Sequence, residues 1–85
     1  MFTVRFSRDA IRALTRMPRD RAANIRRKID QLARDPHAVN ANLMKLTGRE
    51  GFRLRVGDWR VIYELDEEQR VLSVLVIGPR GSVYR

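Results

Sequence analysis

Apolar and polar residues alternate from Phe2 to Phe6, with Phe2, Val4 and Phe6 on one side and Thr3 and Arg5 on the other. A period of two is that of a half-buried strand. Ser7 then stands where a helix N-cap belongs, with Asp9 in the following turn, so a helix is predicted to begin there. Ala10, Ile11, Leu14 and Met17 fall on one helical stripe, and Pro18 ends that helix while suiting the start of another. From Arg19 to Arg34, Ala22, Ala23, Ile25, Ile29, Leu32 and Ala33 mark an amphipathic helix, with Arg21, Arg26, Arg27, Lys28 and Asp30 mostly outside. Asp35-Pro36 stops it, and the two segments read as an αα-hairpin.

Residues 36–50 carry little periodicity and read as a loop, from which Leu43, Met44 and Leu46 are expected to dip toward the core. The pattern then changes to sheet. Phe52 to Val56 alternates, Gly57-Asp58 is a two-residue turn, and Trp59 to Leu65 alternates again; glycine at the first turn position suits a type II′ hairpin. Asp66 to Gln69 is a second turn, Val71 to Ile77 a buried strand, and Gly78-Pro79 a break before a tail counted as an optional edge strand. The order β-α-α-β-β-β(-β) predicts one α+β domain over residues 1–85, its helical hairpin packed on one face of a mostly antiparallel, twisted sheet.

Composition narrows the chemistry. The chain has no cysteine, which removes disulfides, thiolate catalysis and cysteine-bound zinc. No apolar run is long enough for a signal peptide or a membrane span, so a reducing cytoplasm is the expected location, with no membrane partner. Eighteen Lys plus Arg against ten Asp plus Glu give a net charge of +8, and only Lys28 and Lys45 are lysines. A guanidinium binds phosphate through a planar fork, so this bias points to an anionic, phosphate-bearing partner.

The hairpin sharpens that reading. A two-residue turn pairs Val56 with Trp59, Arg55 with Arg60 and Leu54 with Val61. Cross-strand partners share a face, so Phe52, Leu54, Val56, Trp59, Val61 and Tyr63 form an apolar face for the helices, while Arg53, Arg55 and Arg60 gather on the other. Arg53 and Arg55 stand roughly 7 Å apart at their roots, close to the spacing of successive phosphates on one strand. Arg55 directly opposite Arg60 destabilises the sheet, and stability alone would place a threonine or an acid there. The plainer alternative is a solvated basic face, its side chains splayed and Glu64 compensating. Trp59 and Tyr63 read as packing residues, and His37, beside Pro36, as a surface loop histidine.

The segment Lys45-Leu46, Gly48 and Phe52-Arg-Leu-Arg-Val-Gly-Asp-Trp-Arg-Val-Ile-Tyr63 resembles the central signature of RelE/ParE-type toxins. Val74-Leu-Val-Ile-Gly-Pro-Arg80, the closing Val83-Tyr84 and the opening Ser7, Ala10 and Leu14 to Pro18 extend the resemblance over nearly the whole chain. The resemblance implies a cytoplasmic toxin that cleaves messenger RNA in the ribosomal A site without metal or cofactor. Its catalytic positions would be Arg53, Arg55, Arg60, Arg80 and Tyr84, with Lys45 and Arg49 on flanking phosphates. A ribose 2′-hydroxyl would attack the adjacent phosphorus, leaving a 2′,3′-cyclic phosphate and a 5′-hydroxyl. The family's common histidine before the last arginine is Pro79 here, so a histidine acid is absent and Tyr84 is the expected base. The implied partners are a cognate antitoxin with an acidic binding segment, the ribosome with its message, and operator DNA through the toxin–antitoxin complex. Two other readings stay open: a ParE-like poison of DNA gyrase that cuts no RNA, and a nonenzymatic antitoxin-binding module acting at an operator.

Overall fold

The structure, a computed structural model, describes residues 1–79. Its elements are β1 (Thr3–Phe6), α1 (Arg8–Arg16), α2 (Arg19–Arg34), β2 (Leu43–Lys45), β3 (Phe52–Val56), β4 (Trp59–Asp66) and β5 (Val71–Pro79). The strands form one sheet in the order β1-β5-β4-β3-β2, antiparallel except for β1 against β5. Both helices lie on one face, giving the predicted α+β architecture.

Ser7 joins the two layers. Its hydroxyl accepts from the Ala10 N–H at 3.0 Å, capping α1, and donates to the carbonyl of Leu75 in β5. Leu75 is the extra residue of a β-bulge: Ile62 faces Val76 while Tyr63 faces Val74. A bulged residue drops out of the ladder, and here the Ser7 hydroxyl takes up its carbonyl. The core lies between the layers, with Ala10, Leu14, Ile25 and Ile29 from the helices against Leu54, Val61, Tyr63 and Leu72 from the sheet.

The β3–β4 hairpin has the register its sequence predicts, with Val56 opposite Trp59, Arg55 opposite Arg60 and Leu54 opposite Val61. Gly57 has φ +59° and no positive φ occurs at Asp58, the signature of type II′ rather than I′.

Several expectations change. Residues 36–50 are not all loop, because Leu43–Lys45 pairs antiparallel with Phe52–Leu54 as β2. Three residues are too few to show a period, and this strand is specified by its partner rather than by its own pattern. Leu43 and Leu46 are partly buried, but Met44 points outward. Gly78-Pro79 does not break β5, since both continue its ladder with β4. Beyond Val74 β5 has no β1 neighbour, and a proline is tolerated at such an edge or strand end. Ile11 sits on the flank of its stripe, 50% exposed, and Ala23 is exposed too. The optional strand after residue 79 lies outside the described residues.

Candidate functional site

Strand parity determines what the helix-free face presents. Across the four strands from β2 to β5, Met44, Arg53, Ile62 and Val76 form one row, and Arg55, Arg60 and Gly78 form the row next to it, nearer the hairpin turn. Arg53, Arg55 and Arg60 therefore share the face opposite the helices. Arg55 is exposed, and Arg53 and Arg60 are half-buried.

The heads of Arg55 and Arg60 are held by neutral acceptors. Arg55 Nη2 donates to Asn42 Oδ1 at 3.1 Å, and Arg60 Nη1 reaches the carbonyls of Trp59 at 3.3 Å and Gly57 at 3.4 Å. Arg53 Nη2 donates to the Met44 sulfur at 3.2 Å. Arg55 and Arg60 thus start from opposed backbone positions and diverge, one toward the loop before β2 and one back to the turn. Among the described residues neither is paired with a carboxylate. Glu64 shares their face but lies four residues along β4 from Arg60, about 13 Å at the backbone. That exceeds the screening length of about 8–10 Å at physiological salt, so Glu64 does not neutralise the Arg55–Arg60 pair. A hollow of about 140 Å³ opens between Asn42, Met44, Arg53, Arg55 and Arg60. An amide or carbonyl acceptor is readily exchanged for a phosphate oxygen, which makes stronger, charge-assisted bonds.

Lys45 and Arg49 stand nearby. They share a second hollow of about 290 Å³ with Met44, Thr47 and Arg53. Lys45 pairs with Phe52, so its strand parity is that of the helix-covered face, and it also borders a depression with Glu50, Glu64 and Glu67. Arg80 and Tyr84 lie outside the described residues.

Trp59 and Tyr63 lie on the core side, as packing residues. Tyr63 is fully buried and stacks on Phe52 at 5.4 Å between ring centroids. Its hydroxyl has no hydrogen-bond partner among the described residues, and burial pushes the phenol well above its ordinary pKa. It is neither exposed nor ionised near neutrality. His37 is on the surface, paired with Glu67 at 2.8 Å. Sequence reasoning missed Asn42, the partner of Arg55. No signal in the sequence marks it, because its role depends on the pairing of β2, seen in the bond from Arg55 N–H to the Asn42 carbonyl at 2.8 Å.

Comparison with known proteins agrees with the fold. The family model described as the ParE toxin of the type II toxin–antitoxin system, parDE, matches residues 4–84. Toxin RelG of Mycobacterium tuberculosis is 34% identical over 99% of this chain and 97% of its own length. The archaeal RelE–RelB complex of Pyrococcus horikoshii superposes with a TM-score of 0.82 at 27% identity, covering 95% of this chain and 97% of the other. The toxin–antitoxin complex RelBE2 of M. tuberculosis gives 0.78 at 28% identity, covering 93% and 98%.

Proposed function

Because this chain belongs to the RelE/ParE superfamily of type II toxin–antitoxin toxins, we propose that it is a ribosome-dependent endoribonuclease that cuts messenger RNA in the A site. The observation that carries this reading is the cluster of Arg53, Arg55 and Arg60 on the helix-free face, with Arg55 set against Arg60 and both held by neutral acceptors. Three guanidinium groups around one small hollow suit a phosphodiester better than a solvated surface.

In this reading Arg53 and Arg55 hold successive phosphates, with Arg49 and Lys45 on a flanking one. The 2′-oxygen attacks phosphorus as its proton passes to a base, and the bond to the 5′-oxygen breaks as that oxygen gains a proton. Arg60 and Arg80 stabilise the charge on the phosphorane, a role that needs fixed donors rather than proton exchange. Guanidinium, with a pKa above ~12, is a poor general acid or base. Tyr84 takes the base role in this scheme, and the ribosome supplies much of the alignment. No metal or cofactor enters these steps.

A cognate antitoxin follows from the same membership. The RelE and RelBE2 neighbours are complexes with such partners. Against a chain of charge +8 the binding segment is expected to be acidic, and operator DNA is reached through that complex. Work in the cytoplasm, where ribosomes and messages are, fits a chain with no helix long and apolar enough to cross a membrane among the described residues.

Primer extension on a translated message tests the proposal. Cuts within codons should appear with the wild-type chain and fall about 10²–10³-fold with Arg60→Ala, the usual loss for one transition-state donor. The matching family model carries the ParE name, which favours a second reading as a gyrase poison. Intact message together with accumulated broken gyrase–DNA complexes would establish that reading and overturn the nuclease. Intact message with neither would leave a nonenzymatic, antitoxin-binding role.

A further inference from the structure

Met44 is out of character with its surroundings. It is 56% exposed on the edge strand β2, on the arginine face, directly opposite Arg53. Edge strands facing water ordinarily carry lysine, threonine or a charge there. Met44 also forms the wall shared by two basic hollows, one holding Arg55 and Arg60 and the other Lys45, Thr47 and Arg49, with Arg53 lining both. Inward from it, buried Ile62 and half-buried Val76 continue the same row. A lane that is apolar apart from Arg53 therefore crosses the face beside the Arg55–Arg60 row.

We propose that Met44, with the Arg53 guanidinium drawn against its sulfur, is a nucleobase-contacting ridge of the RNA site. Successive phosphates held at Arg55 and at Arg53, which lines both hollows, leave the intervening base above the Met44 thioether. Two properties suit it to that place. Methionine sulfur is polarisable and makes favourable contacts with aromatic rings, and its unbranched chain adapts to different bases. The neighbouring guanidinium adds a planar cation on which a base can stack. A protein partner would be read through surface shape over a wider area; one thioether flanked by two anion-sized hollows matches the alternation of phosphate and base along a single strand.

The inference rests on the reading of the arginine face as an RNA site, and the test separates the two. Fluorescence anisotropy would compare a labelled single-stranded RNA with an abasic strand of the same length, using the full chain, Met44→Ala, Met44→Leu and Arg55→Ala. Wild type should prefer the base-bearing strand. Met44→Ala should lose roughly three- to tenfold in affinity for it and nothing for the abasic strand, while Met44→Leu keeps most of the preference. The dependence on salt should be the same in wild type and both Met44 variants, since no phosphate contact is removed. Thermal melts of the variants check that the edge strand stays folded. An equal loss on both strands, or no loss on either, overturns the ridge. If Arg55→Ala lowers the salt dependence while Met44→Ala is silent, the RNA site stands without it; if wild type binds neither strand, both proposals fall together.

Discussion

The two faces of the β3–β4 hairpin are made from alternate residues of the same strands, yet they obey different rules. On the helix side Leu54, Val56, Val61 and Tyr63 are buried in one cluster. Apart from the Tyr63 hydroxyl, the local choices there agree with the fold, and an apolar residue of similar volume would serve. On the other side Arg55 opposes Arg60 with no carboxylate partner for either among the described residues, an arrangement that costs the sheet free energy. In a sequence consistent at most levels, a conflict of this kind on an exposed face is what a functional site is expected to leave.

Adjacent residues therefore give opposite expectations. Leu54→Ala should cost about 2–5 kcal/mol, the usual loss for a buried leucine, enough to unfold much of a small domain at moderate denaturant. A loss below about 1 kcal/mol in a urea titration would break the distinction between the faces. Gly51→Ala comes next. Gly51 has φ +109°, and a Cβ there would sit 2.9 Å from the Tyr63 carbonyl oxygen, so strain and clash together should cost about 1–3 kcal/mol. The matching change at Gly48, where a Cβ meets nothing within 4 Å, gives the φ penalty alone.

Tyr63→Phe should be neutral or stabilise by about 1 kcal/mol, because it removes a buried hydroxyl that has no partner among the described residues. It should also change the alkaline limb. Burial raises the phenol above its ordinary value of 10.0, so the folded chain keeps its proton after the unfolded chain has released it. That contribution is complete below pH 10 and is lost as pH rises toward the folded value; the Phe variant should lack this decline in urea titrations from pH 9 upward. The smallest effect is Arg55→Thr, which should stabilise by a few tenths of a kcal/mol by relieving Arg60. It should also lower the salt slope of RNA binding by about one. A stabilising change that weakens binding would sharpen the contrast most directly.

Much of this was legible in the sequence because it is local. The cap at Ser7, both helices, the II′ turn and the hairpin register follow from period and turn chemistry, and the shared face of Arg53, Arg55 and Arg60 follows from the register. What escaped depends on distant partners. Leu43–Lys45 becomes a strand only beside β3, Asn42 acquires its role only through Arg55, and β5 extends through Gly78-Pro79 because β4 continues to pair with it. The stripe assigned to α1 was one residue too wide, since Ile11 lies at the margin where burial ends. Lys45, expected at the border of the cleft, pairs with Phe52 and lines a hollow together with Arg49 and Arg53. Arg80 and Tyr84 lie outside the described residues.

The parallel pairing of β1 with β5 has a consequence for synthesis. Thr3 faces Val71 and Phe6 faces Val74, and Ser7 reaches Leu75 across 68 residues of chain. β1 is synthesised long before β5 and waits for it before it can be seated, and closing so long a loop is a slow, late event. A polypeptide abandoned before residue 71 has nothing for that strand to join, so interrupted translation leaves the sheet without its parallel edge.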